Sequence, residues 1–154
     1  MLGPGDTAPS FDLEDVHGVP VSLASLLQGG AALLVVYKIS CPVCQYTLPY
    51  LNRISKSVNV RIVGVSQDDR DDTLEFAKEF GLTFPSVLDR KERGYALSNG
   101  LGVTHVPSMF LVQPDGEISM SWAGWSRRDM EGLGTLAGVQ PFEPGEKVPE
   151  WRGG

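Results

Sequence analysis

The chain has 154 residues, 42% of them apolar, with 13 Lys and Arg against 19 Asp and Glu, a net charge of −6 with the histidines neutral. That length fits one domain with a full hydrophobic core, and no apolar run is long enough for a membrane helix. An acidic balance with scattered basic residues argues against nucleic acid as a partner.

Met1-Leu2-Gly3-Pro4-Gly5 lacks the basic and apolar segments of a secretion signal. The chain as written therefore reads as cytoplasmic, and as periplasmic or otherwise extracytoplasmic if a leader or anchor has been removed. Phe11-Asp12-Leu13 and Val19-Pro20-Val21 flank His17-Gly18 and predict an N-terminal β-hairpin, followed by a short helix from Ser22 to about Leu27. The unbroken apolar run Ala31 to Tyr37 predicts a central strand covered on both faces. Leu48, Leu51, Ile54 and Val58 then recur at three- and four-residue spacing, the pattern of an amphipathic helix.

Arg61 to Ser66 is a second apolar strand, and Asp68-Asp69-Arg70-Asp71-Asp72 reads as a solvated helix start. That helix runs from about Asp71 to Phe80 and stops at Gly81 as a glycine C′. Pro85 to Asp89 reads as a short strand, with a helical piece from Glu92 to Ser98. Ser108–Val112 and Glu117–Trp122 flank Gln113-Pro114-Asp115-Gly116, a hairpin signal. A last helix starts at Ser126, which forms a capping box with Asp129, while Trp125 and Met130 stand at staple positions; Trp125 is thereby given a structural task. Residues 1–139 make the domain, and 140–154, with three prolines and no periodicity, an extended or disordered tail. Strands that alternate with helices and then pair as a hairpin give an α/β core with a mixed sheet.

Cys41 and Cys44, in Ser40-Cys41-Pro42-Val43-Cys44, are the only cysteines. They stand where the central strand hands over to the helix. With Cys41 at the N-cap, Pro42 falls at N1, where a missing N–H costs nothing, and Cys44 at N3. A thiolate at Cys41 then accepts unsatisfied amide hydrogens and feels the positive end of the helix dipole, an environment that lowers cysteine pKa values. The spacing points to redox chemistry. A purely structural bridge would close a very short loop and stabilise little. Zinc needs two further ligands, and His17 and His105, the only histidines, lack the usual paired spacing, so no metal site is expected.

The order strand, Cys-x-x-Cys, helix, strand, helix, Val-Pro strand, hairpin, helix resembles the thioredoxin fold. More narrowly, the chain resembles the TlpA/ResA-like redoxins, thiol–disulfide oxidoreductases grouped with the AhpC/TSA peroxiredoxin superfamily. The pieces that carry this are Ala8-Pro9-Ser10-Phe11-Asp12-Leu13, His17-Gly18 with Val21-Ser22-Leu23, Cys41-Pro42-Val43-Cys44 and Leu48-Pro49-Tyr50-Leu51. They continue with Val63-Gly64-Val65-Ser66, Gly81-Leu82-Thr83-Phe84-Pro85, Val103-Thr104-His105-Val106-Pro107 and Pro114-Asp115-Gly116, so the match runs from residue 3 to 138. The resemblance implies a thioredoxin-like fold, a mixed central sheet flanked by helices with an N-terminal β-hairpin extension. It implies that Pro49, inside a helix where proline costs about 3 kcal/mol, kinks the active-site helix. It also implies a cis peptide from Val106 to Pro107 against the cysteine pair, with the Val106 backbone holding a partner's extended chain. Pro42, Val43, Val106 and Pro107 are then the partner-binding residues. The chain departs from the pattern at Ser40, where such sites usually carry tryptophan, and at Val35 and Thr47, where relatives carry a carboxylate.

The resulting expectation is dithiol–disulfide exchange, with Cys41 attacking and Cys44 resolving. The partners are protein thiols or disulfides and an unidentified electron donor or acceptor; the Cys41–Cys44 disulfide is the redox group, no dissociable cofactor is expected, and the chain is expected to be a monomer. Lys38, three residues before Cys41, and His105, two before Pro107, are candidate pKa modulators. The competing reading is a thiol-dependent peroxidase in which Cys41 becomes sulfenic acid and Cys44 resolves it, although Lys38 replaces the threonine such enzymes carry there. A third is a binding module that uses the Val106–Pro107 groove without catalysis.

Overall fold

In the computed structural model, which describes residues 1–154, the apolar run forms strand β3 (Ala31–Tyr37), the middle of a five-stranded sheet. Its neighbours are β4 (Val60–Ser66), which carries β5 (Ser86–Leu88) on its far side, and β6 (Ser108–Val112), which carries β7 (Ile118–Ala123). β4 runs parallel to β3 and β5 parallel to β4; β6 is antiparallel to β3 and β7 to β6. Strands β1 (Asp12–Glu14) and β2 (Pro20–Ser22) form the separate N-terminal hairpin. Thioredoxin-like topology is thus present in full, hairpin extension included.

Alternate residues of β3 point to opposite faces, which is why an unbroken apolar strand serves two cores. Leu33, Val35 and Tyr37 join Leu48, Leu51 and Ile54 of helix α2 (Pro42–Ile54), Phe76 of α3 (Arg70–Phe80), and Met130 and Leu133 of α5 (Arg127–Ala137). Ala32, Leu34 and Val36 join Leu23 and Leu26 of the short helix α1 (Leu23–Leu26), Leu97 of α4 (Ala96–Gly100), and Phe110 and Val112. All six of these β3 side chains are fully buried.

Local chemistry sets the helix ends. Gly81 closes α3 in the left-handed conformation (φ 65°), and Asp69 caps its start by accepting from the Asp72 N–H. Ser126 accepts from the Asp129 N–H at 3.2 Å, one half of the reciprocal box; the full box is made at α1, by Ser22 and Ser25. Helix α2 stops at Ile54, so Val58, expected on its apolar stripe, lies beyond it and is 96% exposed. The helical piece expected from Glu92 to Ser98 is broken in two. A 3-10 turn (Lys91–Arg93) ends at Gly94, and Tyr95 also takes a left-handed conformation (φ 51°) before α4 begins. The buried Asp89 carboxylate, rather than a local cap, accepts from the Leu97 and Ser98 N–H groups at 3.2 and 2.7 Å and starts α4 there.

Residues 140–154 form an extended arm laid on the domain. Arg53 donates to Glu146 at 2.7 and 3.2 Å and to the Pro141 carbonyl at 3.0 Å. The fully buried Trp125 indole donates to the Pro149 carbonyl at 2.7 Å and packs among Tyr46, Tyr50 and Phe142. Past that anchor, β9 (Trp151–Arg152) pairs antiparallel with β8 (Trp125–Ser126). The apolar anchors in this arm are single residues without period, which is why no element could be read there from pattern.

Candidate active site

Both cysteines are free and stand at the start of α2. Cys41 is the N-cap, with extended backbone (φ −85°, ψ 115°), Pro42 is the first helical residue and Cys44 the third. The Cys44 N–H donates to the Cys41 sulfur at 3.1 Å. One of the orphan amides of the helix start is therefore aimed at the sulfur, where it stabilises negative charge. On its other side the Cys41 thiol donates to the Val106 carbonyl at 3.5 Å. The Val106–Pro107 peptide is cis, and Pro107 is buried just before β6.

The two sulfurs are not equivalent. Cys41 is partly exposed, whereas Cys44 has no exposed surface. Burial, and next the adjacent Cys41 sulfur, push the Cys44 thiol well above the ordinary thiol range near 9. The cost is that of placing a thiolate in an apolar interior without a countercharge. Cys44 sits among Tyr37, Leu48, Met109 and Trp122 in the same core, with Ile39, Val43 and Val106 packed at its margin.

The loop that delivers Cys41 is clamped from both sides at Ile39. The Asp68 carboxylate accepts from the Ile39 N–H at 2.8 Å, and Gln45 of α2 donates to the Ile39 carbonyl at 2.9 Å. Neither contact follows from the local reading, in which Asp68 is part of a solvated helix start. The parallel β3–β4 pairing ends at Tyr37 opposite Ser66, so the loops after both strands leave the same sheet edge and Asp68 meets Ile39 there. Asp68 also raises the cost of charge on Cys44 and on Tyr37. Below the loop, Tyr37 and Ser86 hydroxyls bond at 2.8 Å and those of Ser66 and Thr73 at 2.7 Å. Gly64 leaves room for the first pair, since a Cβ there would meet Ser86 Oγ and the Tyr37 ring.

Pro42 and Val43 occupy the first two positions of α2, Pro42 exposed and Val43 half-buried, and Val106, followed by Pro107, lies beside Cys41. Lys38 contributes its carbonyl, which accepts from the Cys41 N–H at 3.3 Å; its side chain is exposed and makes no ion pair. The exposed His105 ring bonds the Thr104 hydroxyl at 3.0 Å, and His17 lies in the distant hairpin turn, where its N–H is held by Asp15. No cluster of three metal-ligating side chains exists anywhere in the chain. Thr47 Oγ1 and Trp122 Nε1 are buried without hydrogen-bond partners, Trp122 in the same core as Cys44.

A Cys-x-x-Cys pair at a helix start, beside a cis X–Pro peptide, on a mixed five-stranded sheet defines the class of thioredoxin-fold dithiol proteins. Residues 4–121 match the AhpC/TSA family. The chain is 33% identical over 132 residues to thiol-disulfide oxidoreductase ResA of Geobacillus kaustophilus (strain HTA426), covering 82% of this chain and 74% of that one. It is 34% identical over 123 residues to thiol:disulfide interchange protein DsbE of Escherichia coli (strain K12), where the match spans 78% of this chain and 65% of the relative. Among solved structures, a putative DsbE from Chlorobium tepidum superposes with a TM-score of 0.76 at 25% identity, covering 88% of this chain and 96% of that one. The peroxidoxin BcpB of Mycobacterium tuberculosis, 22% identical, also superposes with a TM-score of 0.76, covering 91% and 99%, and shares the fold. The chain belongs to the AhpC/TSA family, as one of its TlpA/ResA-like redoxins.

Proposed function

We propose that this thiol–disulfide oxidoreductase works through Cys41 as the attacking thiolate and Cys44 as the resolving thiol. The observation that carries the assignment is the asymmetry of the pair: Cys41 is reachable and faces an amide donor, while Cys44 is sealed behind it. Cys41 sulfur attacks one sulfur of a partner disulfide, forming a mixed disulfide and releasing the other partner sulfur as thiolate. Cys44 then gives up its proton, attacks the Cys41 sulfur and releases the second partner thiolate. The dithiol loses two electrons and two protons, the partner disulfide gains them, and no dissociable cofactor takes part. The reverse sequence oxidises a partner.

An extended partner segment docks its main chain on the Val106 carbonyl and Pro107, a reading supported by the contact of Val106 with Cys41, with Pro42 and Val43 at the adjoining helix start. Partner proteins bearing thiols or disulfides are the substrates, and the protein acts as a monomer. Of the two compartments the extracytoplasmic one fits better, because oxidising compartments are where protein disulfides persist. Relatives named for exchange favour this chemistry over peroxide reduction.

The test is a trap. A Cys44→Ser variant incubated with a protein disulfide should accumulate a mixed disulfide through Cys41, seen as a mass increase that dithiothreitol reverses. Absence of that adduct, in a variant that still folds, refutes the assignment of roles.

A further inference from the structure

The groove assigned to the partner is already touched by the protein's own chain. β9 pairs with β8 so that Arg152 lies opposite Trp125 and Trp151 opposite Ser126. Continuing in that register, the tail runs beside Gly124, whose N–H donates to the Pro107 carbonyl at 2.8 Å. Gly124 is held at φ 77°, and a Cβ on it would strike the Arg152 carbonyl, so the tail main chain lies directly against it. Two residues further, Gly154 rests on the Val106 carbonyl and Pro107 ring so closely that it too leaves no space for a Cβ. That carbonyl is the group that accepts from the Cys41 thiol. The Arg152 guanidinium lies over the ring of Tyr46, two residues past Cys44 on α2, at 5.6 Å. An extended segment that ends in two glycines thus occupies the main-chain surface next to the Cys41 sulfur.

The anchors of this segment sit before it. Glu146 is held by Arg53, the Pro149 carbonyl by Trp125, and the Glu150 carbonyl accepts from the Arg127 N–H at 2.9 Å. Residues 151–154 themselves are exposed, Trp151 to 66%, and beyond the β8–β9 pairing rest on the Arg152–Tyr46 contact and on close approach of glycine to backbone. The firm part fixes the position of the arm, and the last four residues can lift without disturbing it.

We propose that residues 151–154 are a built-in competitor for the partner segment: a protein disulfide reaches Cys41 only after displacing them from Val106 and Gly124, whereas a small disulfide does not need that surface. This rests on the exchange reading above. It follows the rule for any site that is open only part of the time, whose apparent affinity falls by the open fraction. It also specifies the partner chemistry, an extended backbone that adds to the β8 edge and carries a small residue where Gly154 now lies, since a larger one meets the Val106 carbonyl.

The experiment compares the full chain with a form lacking residues 151–154, and with Gly154→Val, which drives a side chain into the Val106 carbonyl. Reduction of insulin disulfides is measured beside reduction of hydroxyethyl disulfide. Both variants keep the Glu146, Pro149 and Glu150 anchors, so the fold is retained. Removing the competitor should raise kcat/KM for insulin on the order of tenfold, the change that accompanies relief of about 1.4 kcal/mol, with the hydroxyethyl disulfide rate unchanged. An unchanged insulin rate, or a fall in it, overturns the proposal, the fall meaning that the segment belongs to the docking surface itself. Failure of the full chain to reduce either disulfide instead refutes the exchange reading.

Discussion

Replacing Asp68 tests whether the loop before Cys41 is held from outside the active-site helix. The carboxylate accepts from the Ile39 N–H at 2.8 Å, and both residues are half-buried. Asp68→Ala leaves that N–H without its charged acceptor; bonds to charged groups contribute about 1.5–3 kcal/mol, and partial access of water argues for the lower end, about 1.5 kcal/mol. In a protein of this size that corresponds to a fall in Tm of roughly 3–6 °C. Asp68→Asn keeps an oxygen acceptor and should lose about half as much. Both variants remove the carboxylate charge that acts on Cys44, and only Asn keeps the loop held while doing so. Asp68 is one of the charges that keep the Cys44 thiol protonated, so Asn, which holds the loop yet removes the charge, should speed resolution of the mixed disulfide at alkaline pH. Thermal unfolding by circular dichroism and single-turnover quenching of the mixed disulfide give the two readouts. A Tm change under about 1 °C for the Ala variant, or equal losses for Ala and Asn, refutes the clamp.

Two pH dependences follow from groups on either side of the fold. Arg53 first, and the Glu143 N–H second, hold the Glu146 carboxyl down from its ordinary 4.5 to about 2. A depressed carboxyl stabilises the fold above its unfolded pKa and loses that contribution as pH falls through the folded one, so protease sensitivity of residues 141–150 should rise between about pH 4.5 and pH 2, and Glu146→Gln should be sensitive already at neutral pH. At the other end, burial above all raises the Cys44 thiol, and raises the Tyr37 phenol to about 12. Raised groups stabilise below their unfolded values and lose that stabilisation above them, so the urea midpoint should begin to fall near about pH 9 and more steeply past about pH 10. A midpoint that stays level through that range contradicts the burial of both groups.

What pattern and local chemistry can specify was legible. An unbroken apolar strand, a proline directly after a cysteine, a glycine after Phe80 and a Pro-Asp-Gly turn each act over a few residues, and β3, the start of α2, the end of α3 and the β6–β7 hairpin are where those signals place them. What the sequence hid is long-range. Asp68 meets Ile39 only because β3 and β4 pair in parallel and end together; Asp89 caps a helix seven residues away only because Tyr95 turns left-handed in between. The arm docks through Arg53 with Glu146 and Trp125 with Pro149, pairs far apart along the chain. Trp125 was legible as structural from its place before Ser126, but not as the residue that ties the arm to the core.

The proposed division of labour between the sulfurs rests on one feature of helix geometry. At an N-cap the side chain leaves the helix toward solvent while facing its free amides, and at N3 the next inward position turns into the core. With the cysteines three positions apart, the first keeps a surface that an external disulfide can reach and the second has none, and the proposed sequence cannot begin at Cys44 while it is sealed in the core that holds Tyr37, Leu48 and Met109. The same burial that prevents Cys44 from attacking a partner also makes its proton hard to remove. Resolution therefore depends on the mixed disulfide itself. In the proposed mechanism, once Cys41 carries a partner group it no longer presents an ionisable sulfur beside Cys44, which removes one cause of the raised Cys44 thiol pKa, while burial remains.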